Sequence, residues 1–380
     1  MSSIPDISIP ADLLPADGRF GSGPSKVRPE AVEALLRSSD PAHGGPYLGT
    51  SHRQPRVQFE VGALRNGIAE LLVLPDGYEV ILGNGGTTAF WDAATFGLIE
   101  ARSQHLSFGE FSSKFAAAAT AAPHLGEPSI ITAEPGTHPL PVAEDGIDAY
   151  CLTHNETSTG VAMPLQRPEG ADGLVLVDAT SAAGGVRFDP TQVDVYYFAP
   201  QKCLASDGGL WIAAVSPAAV ERIERIAASD RWVPAFLDLK IALDNSRKDQ
   251  TYNTPALATI LLTVQQVEWI NQNGGLEFAA SRSDRSAEIV YGWAEASGYA
   301  TPFVKDPPMR SPVVATIDLD ERIDATVVSK VLRANGILDT ESYRKLGRNQ
   351  LRIALFPAID PEDVAQLTRC IDHVVERLSA

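Results

Sequence analysis

Short apolar runs alternate with amphipathic stretches from about residue 60 onward, and that rhythm leaves few architectures open. Glu79–Gly83 reads as a buried strand and Thr87–Ile99 as the helix after it. Ser129–Ala133, Ala149–His154, Gly173–Asp178, Val193–Phe198 and Gly209–Val215 are further strand candidates, and Ala117–Ala122 is an Ala-rich helical segment. Strands that alternate with helices predict an α/β unit with a mostly parallel sheet. Thr254–Asn273, with Pro255 near its first turn, and Leu276–Ala296 carry long helical patterns. The pattern then changes. Pro312–Leu319 and Leu351–Phe356 read as strands, Asp324–Asn335 as a helix stopped by Gly336, and Asp360–Leu378 as a final helix. This predicts a large domain over 21–272, preceded by an arm rich in Pro and Asp over 1–20, and a small α+β domain over 273–380.

With 380 residues, 44% of them apolar, the chain can bury the cores of two domains. Its formal net charge of −17 argues against nucleic acid or an anionic membrane as partner. An anionic substrate would then need a local cluster of cations. Cys151, Cys203 and Cys370 are dispersed and odd in number, so neither a disulfide framework nor a metal-binding pattern follows, and a reducing cytoplasm is expected. Neither a signal peptide nor a membrane span is expected from the hydropathy pattern.

Several strand ends carry residues suited to chemistry. Lys202 follows the apolar strand VDVYYFAP and precedes a Ser-Asp-Gly-Gly turn. Partial desolvation there would lower its amine pKa and favour a Schiff base, although an exposed loop lysine has the same local sequence. Asp178 ends GLVLVD, at the sheet edge where ligands of open α/β sheets bind. A carboxylate there could hold a pyridine nitrogen protonated; a helix cap or turn residue is the alternative. Gly85, Gly86, Thr87 and Thr88 lie between a strand and a helix and form a candidate phosphate cradle. This turn is neither a dinucleotide fingerprint nor a P-loop. Asn155 and Thr157 in HNETSTG could bond a ring oxygen or simply shape a turn, and Phe111 could stack on a planar ring or belong to the core.

The chain resembles the phosphoserine aminotransferases of actinobacteria, in the class V pyridoxal-phosphate (PLP) aminotransferases. The resemblance runs through GRFGSGPSKV (18–27), GTSHRQ (49–54), LPDGYEVILGNGGTTAFWDAA (74–94), GEFSSKF (109–115), HNETSTG (154–160), DATSAAGG (178–185), YYFAPQK (196–202), QTYNTPA (250–256) and YRKLGRNQLRIALFPA (343–358). It implies the fold type I, aspartate-aminotransferase-like architecture and a PLP cofactor. By the same resemblance Lys202 matches the lysine that carries the cofactor as a Schiff base, and Asp178 the aspartate at the pyridine nitrogen. Phe111 stands at the stacking aromatic position and Thr157 beside the ring's phenolic oxygen. Gly86, Thr87, Thr88 and Gln201 match phosphate contacts, while Asn253 and Thr254 match a pair that reaches the phosphate from a second subunit of a homodimer. His52 and Arg53 match a substrate-anion motif, and Arg352 the arginine that clamps the α-carboxylate.

One departure stands out. Many bacterial members carry a His-Arg pair shortly before the position of Arg352, whereas this chain reads YRKLGRNQ, which leaves Arg344, Lys345 and Arg348 as candidates for a substrate phosphate. The resemblance implies amino transfer between L-glutamate and 3-phosphohydroxypyruvate in serine biosynthesis. It leaves open a phosphorylated threonine analogue of pyridoxine biosynthesis. A cysteine desulfurase would need a reactive cysteine on a mobile loop. Cys370 lies within the last helical pattern and Cys203 beside Lys202, so neither fits. A glyoxylate-specific aminotransferase would have no use for extra phosphate-binding cations, and a non-catalytic regulator would not need the Lys202–Asp178 pair.

Overall fold

The computed structural model describes residues 5–40 and 46–379, so the first four residues of the expected arm lie outside the described residues. The rest of the arm lies along the C-terminal part of the chain. Ile9 and Phe20 are buried in one apolar cluster with Val328, Leu351 and Ile371, and Asp363 accepts a hydrogen bond from the Ala16 N–H at 2.7 Å.

Helices α1 (Pro29–Ser38) and α2 (Pro55–Leu71) lead into strand β1 (Glu79–Asn84). There follow α3 (Gly86–Gly97), β2 (Ser103–Ser107), α4 (Glu110–Ala121), β3 (Ser129–Thr132) and β4 (Ala149–Thr153). A short hairpin of β5 (Asn155–Glu156) and β6 (Val161–Ala162) precedes β7 (Leu174–Asp178), β8 (Val195–Phe198) and β9 (Leu210–Val215). Helices α5 (Pro217–Ala227), α6 (Leu239–Ser246), α7 (Leu257–Gln272) and α8 (Gly275–Ala296) connect to β10 (Ala300–Pro302), β11 (Val314–Leu319), α9 (Ala325–Ala334), β12 (Gln350–Ala354) and α10 (Pro361–Ser379).

The main sheet has seven strands in the order β1-β9-β8-β7-β4-β2-β3. Neighbours from β3 to β8 are parallel, and β9 runs antiparallel to both β8 and β1. The mostly parallel α/β sheet expected from the sequence is therefore present. Because side chains alternate across a strand, β7 divides itself between two cores. Val175 and Val177 pack with α2 and α7 residues such as Leu64 and Val264. Leu174 and Leu176 pack with α3, α5 and α6 residues such as Ala94, Ile223 and Leu243. The same alternation turns Asp178 toward the α3 face. In the C-terminal part β10, β11 and β12 form an antiparallel sheet, and its core is built with α8, α9 and α10.

Some elements differ from the sequence expectation. Strand β2 was not expected, since SQHLS lacks an apolar run. Its polar groups are buried in pairs: Ser103 Oγ lies 2.9 Å from His105 Nε2, and Gln104 exchanges hydrogen bonds of 2.9 and 3.0 Å with the backbone of Val142. Helix α4 starts at Glu110, well before the Ala-rich segment, because the Glu156 carboxylate accepts from the backbone N–H of Ser112 at 2.9 Å and of Phe111 at 3.1 Å, which caps the helix from outside. Helix α7 starts at Leu257 instead of Thr254, and the three-residue strand β10 was also unforeseen. Among the described residues no helix is long and apolar enough to cross a membrane.

Candidate active site

The C-terminal ends of the parallel strands open into a cavity of about 500 Å³. Strand reversal at β9 brings the Gly208–Gly209 turn to the same edge, so the cavity is lined from β1, β4, β7, β8 and β9 together with Gly23 and Pro24 of the N-terminal segment. Of the residues singled out in the sequence, Gly86, Thr87, Thr88, Phe111, Asn155, Thr157, Asp178, Gln201 and Lys202 all line it.

Lys202 follows β8, the neighbour of β7 in the sheet, so its amine and the Asp178 carboxylate enter one space from adjacent strands. The amine donates to the carbonyl oxygen of Ser22 and lies 6.0 Å from the Phe111 ring centroid. Burial, with help from the nearby Arg352 guanidinium, lowers its pKa to about 8. Asp178 is 4% exposed. Its Oδ1 accepts from the Thr180 N–H at 2.9 Å and its Oδ2 from the Trp91 indole N–H at 3.0 Å. Burial raises its pKa, and these hydrogen bonds oppose the rise.

Gly85 and Gly86 both adopt positive φ, 109° and 70°, at the start of α3. A Cβ on Gly85 would lie 2.7 Å from the Ala89 Cβ, so the tight turn that opens the helix N-terminus to the cavity requires glycine there. Ser181 gathers the polar side chains on the other wall: its Oγ accepts from Asn155 Nδ2 and Thr157 Oγ1, both at 2.8 Å. Asn155 Oδ1, Gln201 Oε1 and Ser22 Oγ are buried with no hydrogen-bond partner among the described residues. Buried polar atoms in that state are costly unless a ligand completes them.

The substrate cations expected from the sequence sit outside the cavity lining. Arg352 on β12 stands 3.5 Å through Nη1 from the Thr157 carbonyl oxygen and 5.3 Å from the Tyr343 ring centroid, while its buried Nε has no partner among the described residues. Tyr343 in turn lies 6.2 Å from Phe111, which places Tyr343 at the cavity rim. Within that segment Lys345 is paired with Glu110, and Arg348 with Asp318 at 2.6 Å. Arg344 is exposed and makes no ion pair among the described residues. Arg53 is exposed, and His52 is buried with Nδ1 3.3 Å from Thr254 Oγ1. Asn253 and Thr254 do not reach the cavity of their own chain. They lie against the end of β1, where Asn84 Nδ2 donates to Asn253 Oδ1 at 2.6 Å.

Sequence reasoning did not single out Gly23, Trp91, Lys114, Thr180 or Ser181, all of which line the cavity. For Trp91 a signal existed: it follows Thr87 by four residues on one helix and so shares its face. Gly23 carried no such signal, since its contact with Lys202 spans 179 positions of chain.

The family model for aminotransferase class-V matches residues 19–340. A phosphoserine aminotransferase of Nocardioides sp. (strain ATCC BAA-499 / JS614) is 61% identical over 98% of this chain and 99% of its own length. The chain belongs to the class-V aminotransferase family. Two solved structures share its fold: a phosphoserine aminotransferase from Cytophaga hutchinsonii, with a TM-score of 0.86 at 24% identity over 94% of this chain and 99% of that one, and a PLP-bound phosphoserine aminotransferase from Trichomonas vaginalis, with a TM-score of 0.78 at 19% identity over the same shares. The cavity fits the PLP of this family. It presents a desolvated lysine amine and a buried carboxylate on neighbouring strands, an aromatic ring beside the amine, a glycine-opened helix N-terminus, and buried polar atoms that lack partners.

Proposed function

We propose that this protein transfers an amino group from L-glutamate to 3-phosphohydroxypyruvate, giving 2-oxoglutarate and O-phospho-L-serine, the transamination of serine biosynthesis. Beyond the near-full-length likeness to a phosphoserine aminotransferase, one observation carries the reading: the Arg352 guanidinium beside the Lys202 cavity, and Arg344, which follows the rim residue Tyr343 in the chain, make no ion pair among the described residues. In a chain of net charge −17, two guanidinium groups without an ion pair among the described residues, on the segment that borders the cavity, suit a substrate that carries both a carboxylate and a phosphate.

PLP bound here supplies a carbonyl that condenses with amines and a cationic ring that delocalises the charge left when a proton leaves the substrate's α-carbon. Lys202 would hold the cofactor through its amine and would take and return the proton at that carbon. A lysine with a pKa of about 8 has a substantial neutral fraction near neutrality, which both tasks require. Asp178 would keep the ring nitrogen protonated, and Phe111 would offer its ring to the cofactor. Thr157 would serve the phenolic oxygen, and Gly86, Thr87, Thr88 and Gln201 the cofactor phosphate. Arg352 clamps the α-carboxylate that both substrates share, with His52 and Arg53 as further anion contacts. Arg344 takes the phosphate of the three-carbon substrate. Lys345 and Arg348 already neutralise Glu110 and Asp318, so a phosphate would have to compete for them.

The working enzyme is a homodimer in which Asn253 and Thr254 complete the phosphate site of the second subunit. Their position against β1 of their own chain, outside its own cavity, supports this arrangement. A coupled assay of 3-phosphohydroxypyruvate against hydroxypyruvate, across a panel of amino donors, tests the assignment. The phosphorylated acid with glutamate should be preferred, and equal rates with the unphosphorylated acid would reduce the function to aminotransferase of another keto acid.

A further inference from the structure

Two hydrogen bonds run side by side from one helix to one strand end. Thr87 Oγ1 lies 2.7 Å from Thr180 Oγ1, and one helical turn further along α3 the Trp91 indole N–H donates to Asp178 Oδ2 at 3.0 Å. Thr87 and Trp91 are four residues apart on α3 and therefore share a face; Asp178 ends β7 and Thr180 lies two positions beyond it. The helix whose N-terminus opens into the cavity is thus tied by the same face to the carboxylate at its base.

We infer that Trp91 is a positioning residue for amino transfer: its indole N–H fixes the Asp178 carboxylate in rotation and holds it in register with the phosphate cradle at the start of α3. Packing prepares the indole for this. Trp91 is buried and runs near-parallel to Phe115 at 6.4 Å between centroids, with 16° between the planes, so the N–H is held in one direction. Asp178 needs the donor. It is buried on the strand face it shares with Leu174 and Leu176, and Glu156 nearby adds a second negative charge, so both burial and charge oppose its ionised form. Thr180, through its side chain and its backbone N–H, and the Trp91 indole offset this, and of these the indole is the donor at Oδ2. The indole N–H donates and cannot accept, so it selects the ionised carboxylate on Oδ2 and leaves the remaining lone pairs for the cavity. Phenylalanine would retain the stacking and lose the bond.

The inference rests on the role of Asp178 proposed above, and the test separates the two. In holoenzyme, Trp91→Phe should lower kcat about tenfold, the order expected for one hydrogen bond to a charged group, while KM for 3-phosphohydroxypyruvate and cofactor content stay within about twofold. Placed on Asp178→Asn, the same substitution should cost less than about twofold, because the group it acts through is already altered. Equal costs in the two backgrounds, or no cost in either, would overturn the inference. An inert Asp178→Asn would instead remove the role of Asp178 itself. The second readout needs no catalysis. In apoprotein labelled with ¹⁵N at the indoles, the resonance of Trp91, assigned by elimination with single variants of Trp211, Trp232, Trp269 and Trp293, should shift when Asp178 becomes Asn. A resonance that does not move would overturn the inference even if Trp91→Phe failed to fold.

Discussion

A side chain on residue 23 would have to occupy the space of the Lys202 amine: a Cβ added to Gly23 would lie 2.1 Å from Nζ and 2.6 Å from Cε. The backbone of Gly23 has a φ of 141°, a conformation L side chains rarely adopt. The N-terminal segment therefore forms one wall of the lysine's channel. Gly23→Ala should displace Lys202 and sharply lower the fraction of cofactor fixed by borohydride reduction, with little change in the sheet's far-UV circular dichroism. Full fixation in the variant would show that the segment moves aside at no cost.

The depressed pKa of Lys202 has a measurable sign. Only the neutral amine attacks a carbonyl, and its fraction grows as pH rises through the amine's pKa. Cofactor capture by apoprotein should accelerate up to a midpoint near pH 8 and level off above it. An ordinary lysine would place that midpoint above pH 10. Lys202→Ala should abolish both the covalent link and nearly all turnover; retained turnover would dismiss the lysine from its role.

Asp178→Asn should separate binding from chemistry. The amide cannot hold a ring nitrogen protonated, whereas the cradle at the start of α3 is left in place. Turnover should fall by about a hundredfold or more, the order seen when one electrostatic contact to developing charge is lost, while cofactor content stays near normal. Unchanged turnover would leave Asp178 as a turn residue only.

The three cations of the 343–348 segment should differ. Arg344→Ala should lower kcat/KM for 3-phosphohydroxypyruvate about ten- to a hundredfold, as expected for one charge-assisted contact, and leave the glutamate half-reaction intact. Lys345→Ala and Arg348→Ala should cost less, since each of those side chains already has a carboxylate. Arg352→Ala should damage both half-reactions. A larger loss at Arg348 than at Arg344 would reassign the phosphate site.

Complementation tests the shared site. Lys202→Ala and a double Asn253→Ala, Thr254→Ala variant should each be inactive, and dissociation and reassembly of the mixture should restore part of the activity through heterodimers with one intact site. A verified heterodimer without activity would place Asn253 and Thr254 outside the partner's site.

Local chemistry was legible in the sequence wherever it depended on strand ends. The apolar runs before Asp178 and Lys202 determined that one residue ends a buried strand and the other follows one, and a parallel sheet brings such ends to one edge because its strands point the same way. The Gly-Gly turn before α3 was readable for the same reason: a helix opening directly after a strand needs positive φ there. The sequence had no means of showing β2, whose buried polar side chains are satisfied by one another and by Val142, some 38 residues away in the case of Gln104. Nor could it select Arg344 from its neighbours. Arg344, Lys345 and Arg348 are chemically similar cations within five positions, and only the tertiary structure sets Glu110 against Lys345 and Asp318 against Arg348, leaving Arg344 without an ion pair among the described residues. The Trp91–Asp178 bond was decided in the same way. Pattern assigns each residue to its own element, but whether an indole N–H meets a carboxylate 87 positions later depends on how α3 packs on β7. Hydrophobic periodicity encodes which face of an element is buried; it carries no information on which buried partner that face will meet.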